Sequence, residues 1–386
     1  MDVSTTRFAR LADFLHHRLI WLLLLAYALA GMVPDFGMWM RTAHVGLTTV
    51  GDRPLTVSLT SVLLSLILFN AGLGVDPDRI RGLVKKGGLL AAGLLTNTLV
   101  PTAVILGLST TLSLWHNPIE VQFILVGLAL IASMPVAGSS TAWSQNANGD
   151  LALSLGLVIG STVLSPLTTP AVLHVAGWAA EGPFSKDLHH LAENGTTDFL
   201  TAFVLIPSLA GIGARLVFGG PRLKPLRPAI KLVNTAVLLL LSYVNGAAAL
   251  PQTFASPDWD FLGLMLTIVA ALCVLGFASG LAVAWWFGAD SGRRTSLAFG
   301  LGMTNNGTGL VLATNALAHI PEVTLPIIGY NLVQHFVAAA FDHARPYWDR
   351  RDAVDDPAND GPTPPLPETD FRFGSCKLRS IPVSLK

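Results

Sequence analysis

Two polar clusters sit inside otherwise apolar sequence: LIASMPVAGSSTAWSQNANG, from Leu130 to Gly149, and SLAFGLGMTNNGTGLVLATN, from Ser296 to Asn315. Their side chains are hydroxyls and amides, with Ser139, Ser140 and Thr141 in the first and Thr304, Asn305, Asn306 and Thr308 in the second. No carboxylate, thiol or imidazole stands among them. The chemistry open to such a set is solvation, since neutral oxygens suit a hard cation and amides and hydroxyls can donate to an anionic head group. Pro135 and Gly138 interrupt the first segment, and Gly302 and Gly307 flank the break in the second. At each break one half-helix ends in free carbonyls and the next begins with free N–H groups, which carry partial negative and positive charge. Cations suit the first kind of end and anions the second. Ser139, Ser140 and Thr141 are expected to cap one restart, and the asparagines the other. Asn305 and Asn306 are the leading candidates for solute contact, with Ser139 and Thr308 beside them, because an amide at membrane depth is costly unless paired.

The elements that must position these residues are membrane helices. Of 386 residues, 52% are hydrophobic and only 12% charged, about half the charged share of a soluble domain. Net charge is zero, so no basic surface points to nucleic acid. Cys273 lies in an apolar stretch and Cys376 in a polar tail, so no disulfide framework is expected. With about 20 apolar residues needed per span, ten candidates emerge: Leu19 to Val33, Leu55 to Val75, Gly88 to Leu108, Val121 to Gln145, Leu151 to Trp178, Phe199 to Phe218, Ala229 to Leu250, Phe261 to Phe287, Thr295 to Leu317 and Thr324 to Phe341. None contains Asp or Glu, and only the fourth and ninth look interrupted. The first is short and can borrow from Phe36 to Met40; its Ala28-Leu29-Ala30 also resembles a signal cleavage site, and retention as a helix is expected.

One set of connections holds Arg7, Arg10, Arg18, Arg79, Arg81, Lys85, Lys86, Arg215, Arg222, Lys224, Arg227, Lys231, Arg293 and Arg294, whereas the alternate set holds only Arg41, Arg53 and Lys186. By the positive-inside rule both termini are cytoplasmic. Five spans in 1–180 and five in 199–343, around a connecting loop at 181–198, give halves of odd count, so the second inserts inverted. The fold class expected is thus all-α, with two inverted five-helix repeats and two crossed discontinuous helices, the fourth of each half. Residues 344–386, rich in Pro, Asp and Arg, read as a disordered cytoplasmic tail. Gly276 and Gly280, four apart, read as helix-packing residues.

These residues closely resemble the bile acid:sodium symporter family. PVAGSSTAWSQNANGDLALS from Pro135, STVLSPLTTP from Ser161 and GLGMTNNG from Gly300 carry the resemblance. It implies a panel domain of helices 1, 2, 6 and 7 and a core domain of helices 3 to 5 and 8 to 10, in a bacterial inner membrane. It also implies that Ser140, Thr141 and Ser154 help hold one sodium ion, and that the backbone carbonyls of Leu301 and Met303 serve a second. Asn305 falls on the substrate asparagine, and Gln334 and His335 replace a His-Asn pair on helix ten. This chain departs from the family pattern at four ligand positions. Gly300 stands where the family has a glutamate, Thr304 and Thr96 where it has glutamines, and Val158 where it has a threonine. No carboxylate is left to offset a cation, and Thr304, Thr96, Ser140 and free carbonyls are the oxygens available.

The function expected is secondary transport of an organic anion, bile-acid-like or a small carboxylate or sulfonate, coupled to sodium. Alternatives on the same fold are a sodium-independent carrier or a proton-coupled one that uses His335; a channel or sensor is the alternative of another class. No buried Lys or Arg in the spans marks a fixed charge for the anion. Membrane-embedded catalysis finds no paired aspartates, metal motif or serine-base pair in the spans. His16-His17 and His189-His190 are expected to be solvated or interfacial.

Overall fold

The computed structural model describes residue 15, residues 18–50, 53–75 and 87–354. Arg7, Arg10, His16, His17, Arg79, Arg81, Lys85, Lys86, Cys376 and the tail from 355 lie outside the described residues. The described residues are helical almost throughout. Its elements are α1 (Leu19–Met32), α2 (Asp35–Thr42), β1 (His44–Val50), β2 (Arg53–Ser58), α3 (Leu59–Gly74), α4 (Gly87–Leu112), α5 (Pro118–Ser133), α6 (Ser139–Asn146), α7 (Leu151–Gly177) and α8 (Gly182–Glu193). There follow α9 (Thr196–Leu200), α10 (Ile206–Leu223), α11 (Arg227–Gly246), α12 (Leu250–Ala255), α13 (Trp259–Trp286), α14 (Ser291–Gly302), α15 (Asn306–Ala316) and α16 (Thr324–Val354).

Among the described residues six helices are long and apolar enough to cross a membrane, and seven if the bent pair α1–α2 counts as one span. The protein is therefore an all-helical integral membrane protein, apart from one hairpin. Its outward faces are apolar, as lipid requires: Leu95 on α4 is 61% exposed and Leu167 on α7 is 71% exposed. On α13, exposed Trp259 marks one end and exposed Trp285 and Trp286 the other. A 28-residue helix spans about 42 Å at 1.5 Å per residue, close to the full bilayer thickness. Aromatic rings at both ends therefore sit at headgroup level.

Helix starts follow local chemistry. Ser58, Asn117, Asp150, Asp258 and Asp290 each stand just before an apolar run and accept a first-turn N–H, at 2.9 to 3.2 Å. Asp150 and Asp290 also bring together the starts of α7 and α14. Asp150 donates its backbone N–H to Gly292 O at 2.9 Å, and Ser296 Oγ donates to Asp150 O at 2.9 Å.

Several expectations need correction. β1 and β2 pair antiparallel between α2 and α3, so the chain is not purely α; their β-branched residues, Val45, Thr48, Thr49, Val50, Thr56 and Val57, favour extended structure there. The stretch Phe36 to Met40 does not continue the first helix in line: it lies in α2, which turns 91° from α1 at Val33-Pro34, so the two make a bent pair, and the residue before proline disfavours helical geometry. The expected loop at 181–198 contains the helix α8, which packs on α7 through Ser185 Oγ to Gly177 O and a hydrogen bond between His189 Nδ1 and His174 Nδ1 at 3.0 Å. His189 is half-buried and His190 exposed, within the solvated or interfacial setting expected of them. The sixth span, Thr196–Gly219, does run through as one helix, in which Thr201–Leu205 is wound as a π turn. The last helix runs to Val354, beyond the expected tail boundary at 344, because extending an existing helix needs no new nucleus.

Gly276 and Gly280 do serve close packing, with α13 lying directly on the backbone of α14. A Cβ on Gly276 would meet Leu301 O at 2.7 Å, and one on Gly280 would meet Leu297 O at 2.4 Å. Backbone carbonyls cannot give way as side chains do, so Gly280→Val should lower stability by about 1–3 kcal/mol. Thermal unfolding in detergent checks this against Gly263→Val, which meets nothing within 4 Å and should leave the midpoint unchanged.

Candidate functional site

The two interrupted helices meet at their breaks. α5 ends at Ser133 and α6 begins at Ser139, while α14 ends at Gly302 and α15 begins at Asn306. The extended residues between them pair as a minimal antiparallel bridge, Val136 opposite Thr304. Ala137 N donates to Met303 O at 2.9 Å, and Asn305 N donates to Pro135 O at 2.8 Å. The N–H groups that point away from the bridge are met by side chains. Val136 N donates to Ser161 Oγ at 3.0 Å, and Thr304 N donates to Gln334 Oε1 at 3.1 Å. Thr169 Oγ1 adds a bond to Ser133 O, at the end of α5, at 2.6 Å.

Asn305 is the N-cap of α15, and its Oδ1 accepts from Thr308 N at 3.3 Å, as its position suggests. The first break behaves otherwise. Gly138 occupies the N-cap of α6 without a side-chain bond, and Ser140 Oγ turns back to Ala137 O at 2.7 Å. Ser139 is half-buried beside it. The expectation that Ser139, Ser140 and Thr141 cap this restart is therefore corrected: Gly138 is already in helical geometry, so the turn leaves no extended residue to place a capping oxygen over the first N–H groups.

Asn306 folds inward. Its Oδ1 accepts from Thr304 Oγ1 at 3.1 Å and its Nδ2 donates to Thr304 O at 3.2 Å, so both ends of the amide serve the break itself. Thr308 Oγ1 is fully buried and has no hydrogen-bond partner among the described residues. Gln334 spends its oxygen on Thr304 N and its amide N–H on Asn331 Oδ1 at 3.3 Å. His335 is buried on the next position of α16.

The two groups of oxygens differ in the space around them. Ser154 Oγ donates to Thr141 Oγ1 at 3.1 Å, and Ser140 and Ser154 are both fully buried. Beside them a Cβ on Gly300 would come within 2.6 Å of Leu157 Cδ1, so a leucine fills the place that a side chain at Gly300 would take. By contrast, Thr96, Leu301 and Thr304 line a void of about 10 Å³, together with Asn97, Ser279 and Tyr330. That is about the volume of one water-sized guest. Three of its hydroxyls have given their hydrogens elsewhere: Ser279 to Gly276 O at 2.7 Å, Thr304 to Asn306 Oδ1 at 3.1 Å and Tyr330 to Gly302 O at 3.3 Å. Their oxygens keep only lone pairs, which suits a cation better than a donor.

A larger groove of about 370 Å³ runs between α4 and α7 and reaches Met134 and Pro135. Its hydroxyls, on Ser133, Thr98, Ser161 and Thr168, all bond to carbonyls of their own helices, so it presents an apolar wall.

At the far end of α15, Arg41 Nη2 donates to Thr314 O at 3.0 Å and Asn315 Nδ2 donates to Ser61 Oγ at 3.2 Å and Ser58 Oγ at 3.3 Å. Thr314 Oγ1 also meets Asn245 Oδ1 at 3.2 Å. Arg41 is half-buried, so a fixed positive charge does reach the packed interior. It arrives from the last turn of α2 and complements the carbonyl end of α15.

A model of the family described as the Sodium Bile acid symporter family matches residues 61–253, half of the chain. The chain is 25% identical over 323 residues to YocS of Bacillus subtilis (strain 168), named an uncharacterized sodium-dependent transporter, across 82% of this chain and 91% of that one. It is 28% identical over 223 residues to the uncharacterized protein YbaS of the same organism, across 57% of this chain and 68% of that one.

The bridge predicts a specific sensitivity. Ser161→Ala would leave Val136 N–H buried without a partner, at a cost of about 1–3 kcal/mol, visible as a lowered unfolding midpoint in detergent. Thr168→Ala, which removes only a bond to its own helix, should cost less than about 0.5 kcal/mol.

Proposed function

This chain belongs to the sodium bile acid symporter family, and we propose that it is a secondary transporter that moves an organic anion together with sodium. We read the helices as ten spans: the bent pair α1–α2, α3, α4, the broken pair α5–α6, α7, α9–α10, α11, α13, the broken pair α14–α15, and α16. They divide as two inverted repeats of five. α1–α2, α3, α9–α10 and α11 make the panel, the remaining spans the core, and both termini are cytoplasmic in a bacterial inner membrane. Alternating access then consists of the panel rocking against a core that carries the crossing.

The observation that carries this reading is the bridge between Val136 and Thr304, which sets two carbonyl ends and two N–H ends around one point. We place the cation in the small void, held by Thr96, Thr304 and the carbonyl of Leu301. Met303 O is already engaged by Ala137 N and is a weaker ligand for it. Ser140, Thr141 and Ser154 form a second group of oxygens, but with Leu157 packed against Gly300 and Val158 lacking a hydroxyl, that group favours packing over ion binding. Sodium dependence is supported by the name given to YocS. Neutral oxygens alone can hold a hard cation.

For the anion, we assign Asn305 and the start of α15, with Thr308 Oγ1 as an uncommitted hydroxyl and Ser139 at the facing restart. A carboxylate or sulfonate head group matches amide donors and the positive end of a helix. Asn306 and Gln334, spent on the bridge, act on the solute indirectly. His335 stays with them on the same helix turn.

Uptake of organic anions into proteoliposomes, driven by an inward sodium gradient, tests the reading: accumulation with sodium is expected and equal uptake with potassium contradicts it. Thr304→Val should raise the half-saturating sodium concentration about tenfold, equivalent to about 1.4 kcal/mol. Ser154→Ala should change it less than about threefold, and the reverse order would move the cation to the other group. Asn305→Ala should weaken anion binding, read as a loss of ligand-induced thermal shift.

A further inference from the structure

A continuous chain of buried hydrogen bonds leads from the crossing to the first span. Gln334 Oε1 accepts from Thr304 N at 3.1 Å, Gln334 Nε2 donates to Asn331 Oδ1 at 3.3 Å, and Asn331 Nδ2 donates to Tyr27 Oη at 2.9 Å. Thr304, Gln334, Asn331 and Tyr27 are between 2% and 7% exposed. Ser242 on α11 is a further hydrogen-bond partner of the Tyr27 hydroxyl. The path therefore starts at a residue that lines the small void, passes one turn along α16, and ends on α1 and α11.

We infer that Tyr27, Asn331 and Gln334 are positioning residues that couple occupancy of the crossing to movement of the panel. This rests on the sodium-coupled, two-part reading above. Each side chain in the path is bonded on both sides, so a displacement of Thr304 cannot be absorbed by rotating one amide without breaking the next bond. Water is excluded from the path, and a lost partner is not replaced there. Panel rocking must separate Asn331 from Tyr27, because the first belongs to the core and the second to the panel. A Thr304 held in place by a bound cation and one left free therefore bias that separation differently, and this differential is what coupling requires.

The test is strictness of coupling. In proteoliposomes, the ratio of solute uptake under a sodium gradient to uptake under a potassium gradient is measured for the unmodified chain, Tyr27→Phe, Asn331→Leu, the double variant and Tyr243→Phe. Tyr27→Phe removes one hydroxyl and keeps the ring, and the ratio should fall by roughly fivefold or more. The double variant should be no worse than Asn331→Leu alone, as expected for two members of one path. Tyr243→Phe, whose hydroxyl bonds Val33 O within the panel, should keep the unmodified ratio, which separates coupling from a general loss of tyrosine hydroxyls. If Tyr27→Phe yields no folded protein, Asn331→Leu, close in shape, is read in the same way. A Tyr27→Phe or Asn331→Leu protein as strict as the unmodified one overturns the relay and leaves the transport reading standing. An unmodified chain indifferent to sodium overturns both.

Discussion

Unpaired main-chain groups in a medium without water are the constraint on which this fold depends. A broken membrane helix exposes N–H and C=O groups that hydrocarbon cannot satisfy, at several kcal/mol for each one left bare. Here each break is the partner of the other. The N–H groups of Val136, Ala137, Thr304 and Asn305 all find acceptors: two on the opposite break, one on Ser161 and one on Gln334. Because proline has no N–H, Pro135 contributes only its carbonyl, and that accepts from Asn305. Neither interruption is stable by itself in such a medium, so the two broken segments must meet for either to persist.

Once the bridge has taken its share of polar groups, what remains defines the ligand chemistry. Hydroxyls around the void have directed their hydrogens to carbonyls and to Asn306, leaving lone pairs. At the start of α15, by contrast, Thr308 has a hydroxyl with no partner among the described residues. In the proposed reading, the lone pairs around the void serve the cation and the donors at the start of α15 serve the anion. The contact of Gly300 with Leu157 separates the two oxygen groups further, since it closes one of them with a methyl group where a carboxylate would otherwise reach.

Much of this was legible in the sequence, for local reasons. Pro135 with Gly138, and Gly302 with Asn305, combine helix-weakening and capping residues within otherwise apolar runs, and that local combination marks a break where lone prolines such as Pro101 in α4 and Pro166 in α7 do not. Asn305 was readable as a cap because capping is a bond across three residues. What the sequence could not reveal were partners chosen across the fold. Ser161 lies 25 residues from Val136, and Gln334 lies 30 from Thr304. In sequence each looks like any hydroxyl or amide that bonds to its own helix. Arg41 was read only as a loop charge, yet it reaches Thr314 across 273 residues. The hairpin after α2 was missed because Leu55 to Ser58 was counted as apolar span, although its Val and Thr content suits a strand equally well.

The central claim is that the two breaks lie face to face, and a covalent test reaches it most directly. Val136 and Thr304, as opposed bridge residues, should have Cα atoms within the range a disulfide accepts. In a chain with Cys273 and Cys376 changed to serine, Val136→Cys and Thr304→Cys are introduced together with a protease site in α8. After oxidation and cleavage in the membrane, the two halves should migrate as one band without reductant and as two with it. Halves that separate under both conditions, while a cysteine pair placed at Asp150 and Gly292 still joins them, would contradict the account.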